Sequence, residues 1–390
     1  MSAKHHHSHR ESHHHAHHDD SRHASSSHGH HEARSEKGRK RKPGSEADHC
    51  DEEASRARLE QLYSHLPDAP SARTLEEVDF QARHWSSPVI GPLTPGSPEH
   101  KKATADMFRE TFNPYKPSVI DWPDLDPETR ERITSLPIWD IAVHTEGRAR
   151  LRMAAYAEMI EDPELRDAIA RNAWEENRHK EVLSRMVEHY GIKLGVEPPY
   201  EMPKNPEWAY LVTGFSECWD SFFAFGLFAM AEKSGLFPME LVETFEPVMQ
   251  EEARHILLFA NWLAYHRTHL PLLKRLWFEG KVLAVLAYLF YERLTLLRTF
   301  DEDGNEHTED FNFAVRGVES VTEETIDFVK LMELCLSEND RRFSGYDPRL
   351  LRPQLAPACA RIALTAVRMW KGVFNKAEKK AERDGGEVAL

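Results

Sequence analysis

At 390 residues, with 40% hydrophobic and 29% charged side chains and a formal net charge of -15, the chain holds enough apolar material for one large or two modest domains, and it is too acidic for nucleic acid to be an expected partner. Four scattered cysteines, Cys50, Cys218, Cys335 and Cys359, form no CxxC pair and no disulfide framework. No apolar signal segment opens the sequence, so a reducing cytoplasm is the expected compartment.

Residues 1–55 contain His, Ser, Asp, Lys and Arg with almost no large apolar side chain, and 13 histidines fall within residues 1–31. Such material cannot build a core, and disorder is expected. The runs His5-His6-His7 and His13-His14-His15 leave an expression tag conceivable, although their irregular interruption looks more native than engineered. Two readings stay open for this tail: an arm that gathers transition metals, or an inert segment that binds them weakly. A short basic run spans Lys37 to Lys42. Residues 56–136 come next, with a short helix expected over Arg56 to His65, and then Pro88, Pro92, Pro95, Pro98, Pro114, Pro117, Pro123 and Pro127. The proline density predicts an extended arm packed over the helices beyond residue 136 rather than a separate domain.

Apolar residues at helical spacing then predict helices near 137–160, 163–190, 207–233 and 239–267. Asp162-Pro163 reads as an N-cap followed by proline at the first helical position, and Gly235 to Pro238 ends one helix and starts the next. Glu175-Glu176-Asn177-Arg178-His179 and Glu251-Glu252-Ala253-Arg254-His255 repeat one pattern 76 residues apart. Each contains Glu-x-x-His, which sets a carboxylate and an imidazole about one turn apart on one helix face. A lone Glu-x-x-His is weak, since Glu11-Ser12-His13-His14 and Glu46-Ala47-Asp48-His49 also match. The repetition in apolar helices carries the signal.

The other two helices each offer an inward carboxylate, Glu146 and Glu217. Glu146 lies 15 residues before Glu161 and Glu176 lies 13 after Pro163; Glu217 lies 16 before Lys233 and Glu252 lies 14 after Pro238. At about 1.5 Å per residue these levels match to roughly one turn or less in both hairpins. Taken singly, each residue reads as a solvated helix face or a surface ion pair. Jointly, four carboxylates and two histidines at one level of an apolar bundle require a cation, because unpaired buried charge is not tolerated. An oxygen-rich set with one imidazole per ion suits two iron ions, or manganese, better than a thiolate-preferring metal. Asp220, three residues after Glu217, is an alternative ligand to it. Gly147 and Pro247 break helix rules next to the ligands, proline either bending the helix or beginning it. Trp174, Trp219, Phe222, Phe223, Phe225 and Phe228 cluster nearby, as ordinary core or as the lining of an apolar pocket.

Residues 269–375 continue as a helical extension, with helices near 271–299, 321–341 and 354–373, a polar loop from Asp301 to Glu309, a capping box Ser320-Val-Thr-Glu323 and a turn at Asp347-Pro348; residues 376–390 form a charged tail. The longest uncharged run, Val282 to Tyr291, is too short to span a bilayer, which makes a packing helix the expectation and surface association with a membrane the lesser one.

The expected fold is therefore all-α: a four-helix bundle over residues 137–268 with additional C-terminal helices. The two motifs make this region resemble the ferritin-like non-haem di-iron superfamily, which includes rubrerythrins, ribonucleotide reductase small subunits, arylamine oxygenases and acyl-carrier-protein desaturases. Glu175-Glu-Asn-Arg-His179, with Trp174 before it, is similar to the desaturase form of the motif. Ala253 and the apolar Ile256-Leu-Leu-Phe259 depart from that form.

The resemblance implies Glu176 and Glu252 as bridging carboxylates, His179 and His255 as one nitrogen ligand each, and Glu146 and Glu217 as terminal ligands. Glu175, Arg178, Glu251 and Arg254 are then candidates to orient the histidines. It also implies an oxidoreductase that activates O2 to oxidise an apolar or aromatic small molecule or an acyl chain. With no flavin or iron–sulfur motif in the chain, electrons would come from an external ferredoxin or reductase. The alternative is an iron- or manganese-handling protein, a ferroxidase or store fed by the His-rich tail. The hundred or so residues beyond the bundle favour the enzyme, and a homodimer is one arrangement open to it.

Overall fold

The computed structural model describes residue 57 and residues 79–113, 115–136, 138–197, 199–235, 237–302 and 328–385. The His-rich tail, the helix expected at Arg56 to His65 apart from Ala57, most of the loop expected at Asp301 to Glu309, the Ser320 capping box and residues 386–390 lie outside this set. Among the described residues the regular structure is helical, with an isolated bridge pairing Trp85 and Tyr346.

The proline-rich arm is not extended throughout. Ser97 accepts a hydrogen bond from the backbone N–H of His100 and Pro98 takes the first helical position, so a helix, α1, forms over Pro98–Glu110. Its buried side includes His100, Met107 and Phe108. A shorter helix, α2, spans Pro127–Thr134 behind the cap of Asp126. Two of the prolines that signalled an arm, Pro98 and Pro127, thus sit at helix starts, where a missing N–H costs nothing.

The bundle comes next: α3 at Trp139–Met159, α4 at Pro163–Tyr190, α5 at Pro206–Ser234 and α6 at Met239–His269. Asp162 caps α4 by accepting from Glu164 N at 3.0 Å and Leu165 N at 3.1 Å. Gly191 and Gly235 end α4 and α5 with φ of 70° and 66°, a left-handed turn that costs glycine least. Pro247 neither starts α6 nor stops it, because the helix runs from Met239 through it. α3 packs on α4 and α5, and α6 packs on α4 and α5, which closes the ring of four. α1 lies against α4 and α6, covering the seam between the two motif helices.

The extension consists of α7 at Leu272–Glu302, α8 at Phe328–Phe343 and α9 at Leu355–Gly385, so the last helix continues beyond the stop expected near residue 373. All three pack on α5. Gly226 allows this closeness, since a Cβ there would collide with the Cys335 side chain. Between α8 and α9, Asp347 accepts Ser87 N at 2.9 Å and holds Arg349 at 2.6 Å. Arg349 in turn donates to the carbonyls of Val89 and Gly91, so the arm is clamped to the extension. None of the described helices is long and apolar enough to cross a membrane.

Candidate metal centre

The two Glu-x-x-His motifs meet in the middle of the bundle. Glu176 and His179 face inward from α4, Glu252 and His255 from α6, and one ligand atom from each lies within 4.8 Å of all the others. His255 Nδ1 stands 2.7 Å from Glu176 Oε1, and His179 Nδ1 stands 3.2 Å from Glu252 Oε1. Glu252 Oε1 is also 3.9 Å from His255 Nδ1, which places this carboxylate between the two imidazoles. From α3, Glu146 Oε2 comes to 3.7 Å from His179 Nδ1. Glu217, on α5, lines the same cavity as Glu146, Glu176 and Glu252. Asp220 is engaged elsewhere: Arg293 donates to its Oδ1 at 2.9 Å and Ser216 to its Oδ2 at 2.7 Å.

Behind the inward set, each motif supports the other. Glu175 Oε2 is 2.9 Å from His255 Nε2, and Glu251 Oε2 is 2.7 Å from His179 Nε2. The remaining oxygens take guanidinium groups, Arg254 on Glu175 at 2.7 Å and Arg178 on Glu251 at 2.6 Å. Arg178 also donates to the carbonyls of Asn113 and Tyr115 in the arm, and Arg254 to Thr111 at 3.3 Å. Neighbouring positions on a helix are about 100° apart, so Glu176 faces the cluster while Glu175 turns sideways toward α6. A carboxylate bound to Nε2 keeps the proton there and leaves the Nδ1 lone pair aimed at the cluster.

Electrostatics do not divide the two layers cleanly: burial opposes ionisation of the inward Glu252, yet His179 and His255 hold it below the usual carboxylate range. Burial opposes ionisation of Glu175, yet Arg254, His255 and Arg178 hold its carboxyl at about 2. Glu176 goes the other way: burial, then the nearby charges of Glu146 and Glu252, push it well above the usual carboxylate range. Glu217 is raised likewise, by burial and by Glu176 and Glu252. His179 resists its own burial and rises well above the ordinary imidazole range through Glu146, Glu251 and Glu252. Glu176 Oε1, both oxygens of Glu217, and the Nδ1 atoms of His179 and His255 are buried without a hydrogen bond of acceptable geometry. Orphaned donors of this kind, converging from three helices, fit one or two transition-metal ions, which would replace the crowded protons.

A cavity of about 310 Å³ opens directly onto this cluster. Its lining runs along α5 from Val212 to Ala231 and includes Trp139, Leu183, Phe237, Leu241 and Phe245 at one end of the bundle. Arg148, Arg152, Thr213, Ser216, Tyr288 and Arg293 add polar groups to the lining. Of the aromatic residues singled out in the sequence, Phe228 lines the cavity. Phe222, Trp219 and Phe223 pack instead with Cys335 and Leu331 beneath α8, and Phe225 lies under Arg342 at 4.9 Å. Trp174 stacks with Arg178, 4.7 Å from its ring centre. Gly147 makes room for the ring of Tyr200, which a Cβ would strike. The sequence offered a weak sign of this polar lining, Arg148 and Arg152 one turn apart on a ligand-bearing helix, and none of the aromatic wall formed by Phe237 and Phe245.

No protein-family model, no curated protein and no solved structure matches this chain. The class therefore rests on the molecule itself: an all-α, ferritin-like four-helix bundle with additional C-terminal helices, carrying two buried Glu-x-x-His motifs that converge on one cluster. That agrees with the ferritin-like di-iron superfamily in general and singles out no branch of it.

Proposed function

We propose that this chain is a non-haem di-iron oxidoreductase that uses O2 to oxidise an apolar small molecule or acyl chain. The observation that carries this reading is the cavity, which brings a largely apolar wall onto Glu146, Glu176, Glu217 and Glu252 and so offers a carbon skeleton, rather than a hydrated ion, access to the centre. His179, Glu146 and Glu252 would hold one ion; His255, Glu176 and Glu217 would hold the other, with Glu252 between them. Bound iron supplies the redox chemistry toward O2. The protein supplies the rest. Glu251 and Glu175 hold the imidazoles in one tautomer, the Arg178 and Arg254 guanidiniums fix those carboxylates in place, and α1 seals the seam behind them against water. Manganese fits the same donors, and the electrons would come from a separate ferredoxin or reductase.

Anaerobic iron(II) loading followed by oxygen, watched by absorption and Mössbauer spectroscopy, tests the proposal. A coupled pair of irons that oxidises together supports it. Two isolated irons, or a pair indifferent to oxygen, would rule it out. A protein that oxidises iron continuously and releases or stores it, with no small molecule altering the spectrum, would favour metal handling.

A further inference from the structure

α7 is built the wrong way round for a helix that borders solvent. Phe278, Val282, Val285 and Leu289 pack into the core, and the charges beside them bond inward as well. Glu279 pairs with Arg267 of α6 at 3.0 Å, Lys281 with Glu207 of α5, and Arg293 with Asp220 of α5 at 2.9 Å. The opposite face carries no charged side chain from Leu276 to Leu294, a length of about 27 Å. A solvated face normally gathers the charges of its helix.

What stands there instead is large and apolar. Leu273 is 81% exposed, Trp277 76%, Leu283 67% and Phe290 65%. With their neighbours they open roughly 1,000 Å² of apolar surface, beyond the few hundred Å² of the largest patch on an ordinary monomer. Two such faces pressed together would bury roughly 2,000 Å², where permanent dimers begin.

The face is also complementary to itself. Gly280, Ala284 and Ala287 make a shallow waist between bulky ends. Nothing lies within 4 Å of a Cβ added at Gly280, so no contact within the described residues requires glycine at a position where it weakens the helix. Turned antiparallel about a two-fold axis beside Leu283 and Ala284, two copies of α7 bring Leu273 level with Leu294, Leu276 with Tyr291 and Trp277 with Phe290. Gly280 then meets Ala287 at the waist, where two helices can approach closely. Each partner in these pairs lies on the same open face, which is the requirement of an isologous contact. A bilayer would accept the apolar groups but has no use for a waist, and an anionic one repels a chain of net charge -15.

We propose that the outer face of α7 is the interface of a two-fold symmetric homodimer in which the two α7 helices pack antiparallel. Tyr288 and Leu289 of the same helix line the cavity at the metal cluster, so a second copy backs one wall of that chamber.

Sedimentation equilibrium on the full-length chain at about 1–10 μM tests the assembly. The parent chain is expected to be a dimer. Gly280→Glu and Ala284→Glu put charge on the open side without touching the packed side of α7, and each is expected to weaken association about 100-fold or more, with helicity by circular dichroism unchanged. Disulfide trapping reads the register in a chain carrying Cys50→Ser and Cys359→Ser. Ala284→Cys should cross-link to its own copy, whereas Leu273→Cys and Leu294→Cys should cross-link when co-expressed and not singly, since each lies about 31 Å along the helix from its own mate. A monomeric parent chain overturns the proposal: flotation with phosphatidylcholine vesicles would assign the face to a bilayer, and failure to float would mean that other residues of this chain cover it. A dimer that both glutamate variants leave intact, or a Leu273→Cys chain that links to itself, overturns it as well.

Discussion

Glu175 and His255 stand 80 positions apart and meet at 2.9 Å, while Glu251 and His179 mirror them at 2.7 Å. Neither motif is therefore complete on its own helix. Each imidazole is oriented by a carboxylate from the opposite helix, so the docking of α4 on α6 and the readiness of the centre for metal are one event. A single turn of mismatch would uncouple both.

This exchange predicts unequal costs for two similar substitutions. In Glu175→Gln, Arg254 keeps its bond to Thr111 but loses its charge partner, and we expect a loss of about 3–5 kcal/mol. In Glu251→Gln, Arg178 retains the carbonyls of Asn113 and Tyr115 and the face of Tyr115 at 4.0 Å, so about half that loss is expected. Both variants should bind metal about 10–100-fold more weakly. Denaturant titration and metal competition check the pair, and equal stability losses would show that the arm contacts of Arg178 contribute nothing.

A second expectation concerns the histidines and the tail. His179→Ala and His255→Ala should each abolish oxygen reactivity while leaving the far-ultraviolet dichroism of a helical protein. Protein lacking residues 1–50 should still take up about two equivalents of iron or manganese, because the donors on α3 to α6 form the centre without it. Elemental analysis finding metal only with the tail present would contradict this.

The legible part of the molecule was what periodicity and capping govern locally. Asp162-Pro163 and Gly235 set helix ends, and near-equal distances from the hairpin turns brought Glu146, Glu176, Glu217 and Glu252 to one cavity. The illegible part was what depends on which side of a helix meets which neighbour. α5 packs on α3, α6, α7, α8 and α9, so it is apolar all round, and no moment in its sequence separates the cavity side from the side under α8. α1 was hidden for a different reason: its cap, Ser97-Pro98, reads equally well as a turn in a proline-rich arm.

The clamp between the arm and the extension predicts a pH dependence. Hydrogen bonds from Arg349, together with the backbone N–H groups of Arg349 and Ser87, hold the Asp347 carboxyl at about 2, below its ordinary 3.8. A depressed carboxylate contributes stability that is fully present above its unfolded value and lost as pH falls through its folded one, here between about pH 4 and pH 2. Asp347→Asn should lower stability at neutral pH and flatten that part of the acid-unfolding curve. Thermal melts of both proteins at stepped pH would show it, and parallel curves would mean that Asp347 does not hold the arm.

The aromatic residues of α5 give the sharpest separation of packing from function. Phe222 and Phe225 are fully buried away from the cavity, in contact with the α8 side of the molecule, whereas Phe228 is half-buried and faces the space above the cluster. Truncating the first two should cost about 3–5 kcal/mol each, because a cavity is left in packed core, and should leave ligand response unchanged. Phe228→Ala removes atoms that already border empty space, so the stability loss should be smaller, and the chamber should lengthen toward Ala231. Longer alkanoic acids should then perturb the iron spectrum more strongly than in the parent protein, with metal content the same. Thermal unfolding beside a chain-length series against the loaded protein measures both effects. If Phe225→Ala shifts the chain-length preference and Phe228→Ala does not, the pocket lies on the other side of α5 and the cavity bordered by Phe228 is not where substrate binds.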